Sequence, residues 1–152
     1  MDSVRKQTED FFRNTAKSGL EIRHGQVEMA DEVCTAFEKQ LPLAVEAEVG
    51  IGKSLAYLVP AILKIAQNHK QIVIATSTIA LQEQLNRDAH NVLKILGVNI
   101  DIVVAKGDFL RTLWISPICS MTLRTVPSQG MSILIFPAFF LFINAMYIRS
   151  LP

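Results

Sequence analysis

The sequence predicts an α/β fold in which a partial parallel sheet is flanked by helices, and two observations predict it. First, residues 47–54 read AEVGIGKS, which fits the phosphate-binding loop pattern of a small residue, four variable residues, Gly-Lys, and Ser or Thr. Second, helical and strand patterns alternate along the chain on both sides of this loop. Such alternation is typical of parallel sheets whose crossovers are helices.

Two helices and a strand are predicted before the loop. Residues 3–18 place Val4, Phe11 and Phe12 on or near one helical face, and Gly19 is a plausible stop. Residues 26–39 repeat apolar side chains at helical spacing, which predicts a second helix. Residues 43–46 are mostly apolar, as expected of a short buried parallel strand that leads into the loop.

The elements predicted after the loop follow in alternation. Residues 55–66 carry apolar side chains at helical spacing, residues 71–76 form a strand pattern, and residues 79–96 are again helical. Ser77-Thr78 offers an N-cap for that last helix, and Gly97 is a candidate end of it. Residues 100–104 then read as a further strand.

The residue types in the loop suit a polyphosphate. Gly50 and Gly52 lack side chains that would keep the backbone away from an anion. Lys53 supplies a cation for the β- and γ-phosphates, and Ser54 supplies a hydroxyl for Mg²⁺. The candidate nucleotide site is the whole loop: Ala47, Glu48, Val49, Gly50, Ile51, Gly52, Lys53 and Ser54.

Composition narrows the function classes only slightly. The chain has 152 residues and a formal net charge of +1, so any nucleic-acid binding must depend on a local patch. Cys34 and Cys119 match no spacing typical of zinc or haem sites, which favours a reducing, cytoplasmic setting.

Four stretches carry a family resemblance: EIRHGQ at residues 21–26, VEAEVGIGKSLAYLVP at 45–60, ATSTIALQEQL at 75–85, and Lys106-Gly107. Together they resemble the first motor domain of the DinG/XPD-type helicases, the iron–sulfur branch of superfamily 2. The resemblance implies a partial helicase ATP-binding domain of the P-loop NTPase (RecA-like) fold at residues 21–107, after an N-terminal helix at 1–20 and before an atypical hydrophobic tail at 108–152.

The resemblance also implies roles for single residues. Arg23 and Gln26 match positions near the adenine of ATP, while Lys53 and Ser54 take the phosphate and Mg²⁺ roles. A further group matches a segment that contacts the backbone of single-stranded DNA: Thr76, Thr78 and Gln82. For this group, helix capping and helix-surface roles are the alternative interpretation.

The sequence also departs from the family. Glu48 and Val49 stand where glycine and threonine are usual, and a carboxylate near an anion site weakens nucleotide binding unless it points away. No Asp-Glu-x-His motif and no set of four cluster cysteines follows residue 107. With no complete catalytic set and no second motor domain in the sequence, we expect an ATP-binding segment that lacks an iron–sulfur cluster and is inactive alone.

The tail leaves three interpretations open. Residues 108–152 contain no lysine and no glutamate, and residues 131–148 are mostly apolar. In the first interpretation residues 131–148 are a C-terminal membrane anchor. In the second the tail is a buried hydrophobic element, and in the third it is the product of a reading-frame shift near residue 108. The anchor interpretation gives the alternative function of a membrane-tethered, non-catalytic nucleotide-binding protein. A nonfunctional, unstable product is the third hypothesis.

Overall fold

A computed structural model of the chain describes residues 3–17, 21–48, 50–68, 72–76, 78–104, 132–137 and 148–150. The elements, in chain order, are α1 (Val4–Lys17), α2 (His24–Lys39), α3 (Lys53–Asn68), β1 (Ile72–Thr76), α4 (Ile79–Leu96), β2 (Asp101–Val104), β3 (Ser132–Pro137) and β4 (Ile148–Ser150). The predicted helices at 3–18, 26–39, 55–66 and 79–96 and the predicted strands at 71–76 and 100–104 are confirmed, with ends shifted by a few residues at most.

Local chemistry explains where the helices end. Gln40 closes α2 in the left-handed conformation (φ 55°), and Gly97 closes α4 in the same way (φ 66°). In both, the backbone N–H of the capping residue bonds a carbonyl of the last helical turn, Ala36 O or Leu93 O. At the other end of α4, the Thr78 hydroxyl accepts a hydrogen bond from the Leu81 N–H, as the sequence predicted.

Helix α3 lies at the centre of the core. It contacts α1, α2 and α4 and continues through Pro60. Its buried side chains include Leu58, Ile62 and Ile65, none of which is exposed. Because the loop that precedes Lys53 leads directly into this helix, the packing of α3 fixes the position of the loop's C-terminal end.

Within the described residues, four strands form one sheet in the order β2-β3-β1-β4. β3 is parallel to both β1 and β2, whereas β4 is antiparallel to β1. In this register Ile74 lies opposite Ile135 on one side and Ile148 on the other. Helix α4 packs against β1, β2 and β3. The predicted parallel sheet is therefore present in part, with one antiparallel edge strand.

The strand predicted at residues 43–46 is wrong. Residues 41–48 form no regular element, and Leu43 and Val45 are each 37% exposed. The reason lies in the pairing of β1, whose two edges are occupied by β3 and β4. The apolar run predicted a buried strand, but sequence alone could not tell which segment would take the edges of β1.

The hydrophobic tail is described only in its two strands. β3 and β4 begin at Ser132 and Ile148, while residues 138–147 of the predicted anchor lie outside the described residues. None of the helices that the structure describes is both long and apolar enough to cross a bilayer. The three interpretations of the tail stay predictions.

Candidate nucleotide-binding site

Two left-handed glycines shape the loop between residue 47 and α3. Gly50 has φ 89° and Gly52 has φ 81°, a region that residues with a Cβ rarely adopt. Immediately after this turn α3 begins, and the Gly52 carbonyl accepts hydrogen bonds from the Leu55 N–H (3.1 Å) and the Ala56 N–H (3.4 Å). The sequence therefore forms the predicted turn followed by a helix N-terminus.

Lys53 and Ser54 occupy the first turn of α3, and both are half-buried. The free N–H groups and the dipole of this 16-residue helix favour an anion at its start. Among the described residues, no carboxylate pairs with Lys53. An ammonium, a hydroxyl and a glycine-formed cradle fit the phosphates and Mg²⁺ of a nucleotide.

The side chain of Gln26, near the start of α2, reaches the loop. Its Nε2 donates a 2.9 Å hydrogen bond to the carbonyl oxygen of Gly52, and Gln26 is only 4% exposed. A Cβ on Gly52 would overlap this amide nitrogen. The contact therefore needs glycine at position 52 for two reasons, the positive φ and the close approach of Gln26.

Arg23 reaches the same loop one turn earlier. Its guanidinium donates a hydrogen bond from Nη1 to the Gly50 carbonyl, and Nε lies 3.6 Å from a Glu21 carboxylate oxygen. A Cβ on Gly50 would lie 3.4 Å from Nη1, which is a tight contact. Arg23 thus binds the Gly50 carbonyl, and Gln26 binds the Gly52 carbonyl. The sequence did not predict that these two side chains would hold the loop. Their expected place near adenine stays a prediction.

The sequence also missed Tyr57, which lies one turn after Ser54 on α3 and is 7% exposed. Burial raises the pKa of its hydroxyl well above the usual range, while a hydrogen bond with Ser54 lowers it and the nearby Asp88 carboxylate raises it. Tyr57 therefore stays neutral, one helical turn from Ser54. The spacing of three residues along the helix was the signal that could have identified it.

The remaining loop residues are Ala47, Glu48, Val49 and Ile51. Ala47 packs against the core, and Ile51 is half-buried with its Cδ1 3.8 Å from the Cβ position of Gly25. Glu48 is exposed, so its charge is solvated and its effect on a bound anion is reduced. Val49 lies outside the described residues.

The three predicted DNA-contacting residues lie at the junction of β1 and α4. Thr76 is 5% exposed, and its hydroxyl donates to the Thr78 carbonyl at 3.2 Å. Gln82 is fully buried within α4. Thr78 is exposed, and its hydroxyl caps α4 at 3.1 Å from the Leu81 nitrogen. The capping by Thr78 fits the alternative interpretation, the burial of Gln82 does not fit a helix-surface role, and DNA contact stays a prediction.

Comparison with known proteins gives several partial relatives. Over 63 residues the chain is 54% identical to the ATP-dependent helicase DinG of Mycobacterium tuberculosis, which is 41% of the chain and 10% of that relative. Over 105 residues it is 41% identical to the ATP-dependent DNA helicase YoaA of Escherichia coli, which is 66% of the chain and 16% of the relative. The 3'-5' exonuclease DinG of Bacillus subtilis is 36% identical over 90 residues, which is 59% of the chain and 10% of that relative.

The chain spans only 10% to 16% of the length of these three relatives. No solved structure matches the chain. The family model for the DEAD/DEAH box helicases matches residues 25–121, which include the phosphate loop, its helix α3 and the segment that opens α4. Because that match covers more than half of the sequence, the chain belongs to the DEAD/DEAH box helicase family.

Proposed function

We propose that the chain is the ATP-binding segment of a DinG-like ATP-dependent DNA helicase and that it neither hydrolyses ATP at a useful rate nor unwinds duplex by itself. Family membership implies the use of ATP and Mg²⁺. The observation that carries the proposal is the pair of left-handed glycines, Gly50 and Gly52, placed directly before Lys53 and Ser54 at the start of α3. In this proposal the motor segment is residues 21–107.

In this proposal each side chain has one task. The backbone of Gly50 and Gly52 approaches the phosphates, and Lys53 binds the β- and γ-phosphates as a point charge. Ser54 turns its hydroxyl toward the cation. When bound, Mg²⁺ neutralises the negative charge of the phosphate oxygens. Arg23 and Gln26 hold the loop through the Gly50 and Gly52 carbonyls, and in the proposal they also lie near adenine.

The proposed inactivity rests on missing chemistry. Phosphoryl transfer needs an acidic group that holds Mg²⁺ and positions the attacking water. The nearest sequence substitute, Asp31-Glu32, precedes the loop and lies within α2. There the Asp31 carboxylate is bound by Arg5, which gives it a structural role. The proposal extends to single-stranded DNA through Thr76, Thr78 and Gln82. Because Thr76 and Gln82 are buried, Thr78 alone is accessible without rearrangement.

Titration with mant-ATP and Mg²⁺ tests the nucleotide site. We expect saturable binding by the 152-residue chain. Lys53→Ala should weaken it roughly ten- to hundredfold, the contribution of a hydrogen bond to a charged group. Lys64→Ala is the matched control, because it removes the same charge from α3 about 16 Å further along the helix axis. Equal binding by wild type and Lys53→Ala contradicts the proposal.

A single-stranded-DNA-stimulated ATPase assay tests the inactivity. We expect no turnover above that of the Lys53→Ala variant. Turnover that disappears in Lys53→Ala but persists in Lys64→Ala means that the chain holds a complete catalytic set. That result overturns the proposed inactivity and leaves the nucleotide site itself intact.

A further inference from the structure

Arg5 of α1 makes contacts that join α1 and α2 along nearly two turns of α2. Its Nη1 pairs with Asp31 Oδ1, while Nη2 donates to Thr35 Oγ1 at 2.8 Å and lies 3.2 Å from Glu38 Oε2. The side chain of Arg5 is 32% exposed, and those of Asp31 and Glu38 are each 47% exposed. A hydrogen bond with Glu38 contributes most to raising the pKa of Arg5, against a smaller opposing effect of burial. A planar guanidinium presents five N–H donors in a fixed fork that spans acceptors along the helix, whereas the ammonium of lysine is a compact point charge.

Helix α1 is itself anchored to the core. Phe11 and Phe12 are 5% and 3% exposed and meet edge to face with ring centroids 5.5 Å apart. The Cys34 thiol of α2 donates to the Thr8 hydroxyl of α1 at 3.7 Å, and α1 also packs on α3. Arg5 therefore extends from a fixed helix, and its contacts restrain α2 relative to that helix.

The first turn of α2 is the part that holds the phosphate loop. Gln26 donates to the Gly52 carbonyl, and Gln26 lies five residues before Asp31 on the same helix. Five residues of helix span about 7.5 Å, so a shift of the Asp31 end moves the Gln26 amide with it. Such a shift would lengthen or break a 2.9 Å hydrogen bond.

We propose that Arg5 is a positioning residue for the phosphate loop, because it fixes α2 in the place from which Gln26 holds the Gly52 carbonyl. The inference rests on the proposed nucleotide binding and adds a part of the chain that lies before the residues matched by the family model. Arg5 does not touch the nucleotide. It acts through Gln26 on the conformation of the loop, so its removal weakens phosphate binding even where the chain stays folded.

A double-mutant cycle separates this role from general stabilisation. The variants are Arg5→Ala, Gln26→Met and the double variant, since methionine keeps the unbranched length of glutamine but removes the donor. The probe is mant-ADP with Mg²⁺, measured on protein shown to be folded by circular dichroism. Arg13→Ala is the matched control, because Arg13 lies on the same helix and its 3.4 Å ion pair is with Asp10 of α1 itself.

We expect Arg5→Ala and Gln26→Met each to weaken mant-ADP binding about fivefold, the effect of one ordinary hydrogen bond. The double variant should bind like Gln26→Met alone, because both changes release the same contact. Arg5→Lys should recover part of the loss, and Arg13→Ala should bind like wild type. A merely structural role gives Arg5→Ala and Gln26→Met effects that multiply in the double variant.

The outcomes distinguish this inference from the function on which it rests. If wild type shows no saturable binding, or binds no better than Lys53→Ala, the proposed function fails. If wild type binds and Lys53→Ala does not, while folded Arg5→Ala binds like wild type, the positioning role of Arg5 is overturned. Multiplying effects in the double variant overturn it as well.

Discussion

The amide of Gln26 donates a 2.9 Å hydrogen bond to the carbonyl of Gly52, which joins the first turn of α2 to the phosphate loop across 26 residues of sequence. The same carbonyl accepts two N–H groups from the first turn of α3. One oxygen thus joins two helices at the entrance of the candidate site. The geometry of this contact yields the first prediction.

Gly52→Ala should weaken mant-ATP binding, because the backbone there has φ 81° and the new Cβ displaces the Gln26 amide from the Gly52 carbonyl. Gly97→Ala is the matched control. It also has a positive φ (66°), but nothing lies within 4 Å of its Cβ position. We expect Gly97→Ala to cost about 1 kcal/mol in the free energy of unfolding and to leave binding unchanged. Normal binding by Gly52→Ala contradicts the described loop.

Thr78→Ala should lower the free energy of unfolding by about 1 kcal/mol, because it removes the hydroxyl that accepts the Leu81 N–H at the start of α4. Urea denaturation followed by far-ultraviolet circular dichroism measures this change. Thr78→Ser keeps the hydroxyl and should recover most of the loss. A serine variant as unstable as the alanine variant would mean that the methyl group, and not the cap, is what matters.

The exposure of the apolar segment at residues 43–46 leads to a prediction about the free energy of unfolding. Leu43→Ala should lower the free energy of unfolding by less than about 1 kcal/mol, because Leu43 is 37% exposed and lies outside the sheet. Ile74→Ala should cost about 2–5 kcal/mol, because Ile74 is fully buried in β1. Similar losses for the two variants in parallel denaturation curves would mean that residues 43–46 are buried after all.

The thiol of Cys34 makes stability depend on pH. Burial raises the pKa of this thiol above its ordinary value of 9.0, and the hydrogen bond with Thr8 opposes that rise. As pH increases past 9.0, the thiol ionises in the unfolded chain but keeps its proton in the folded one. The folded state therefore loses stability with rising pH, by at most about 1.4 kcal/mol per pH unit.

Urea denaturation between about pH 8 and pH 10 checks this dependence. The test measures the slope of the unfolding free energy against pH in wild type and in Cys34→Ala. These two slopes are compared, and not the absolute free energies. Both proteins keep Cys119, so the difference between the slopes reports Cys34 alone. We expect a shallower loss of stability in Cys34→Ala. Identical slopes would show that the thiol has the same pKa in the folded and unfolded chains.

Local chemistry made much of the fold predictable. Apolar spacing predicted α1 to α4, and Thr78 and Gly97 marked the ends of α4, because these signals act within one helical turn. The loop motif predicted the glycine turn before Lys53 for the same reason. The prediction of a strand at residues 43–46 was wrong because an apolar run does not indicate which segment it pairs with. Strand pairing joins segments that are distant in sequence.

The sequence by itself determined the helices, the glycine turn and the cation and hydroxyl at the start of α3, since each depends on neighbouring residues. Only the tertiary structure decided that Gln26 and Arg23 hold the loop carbonyls and that Arg5 joins α1 to α2. Contacts across 26 or 27 residues depend on how helices pack in three dimensions, and no local pattern encodes the distance between two helices.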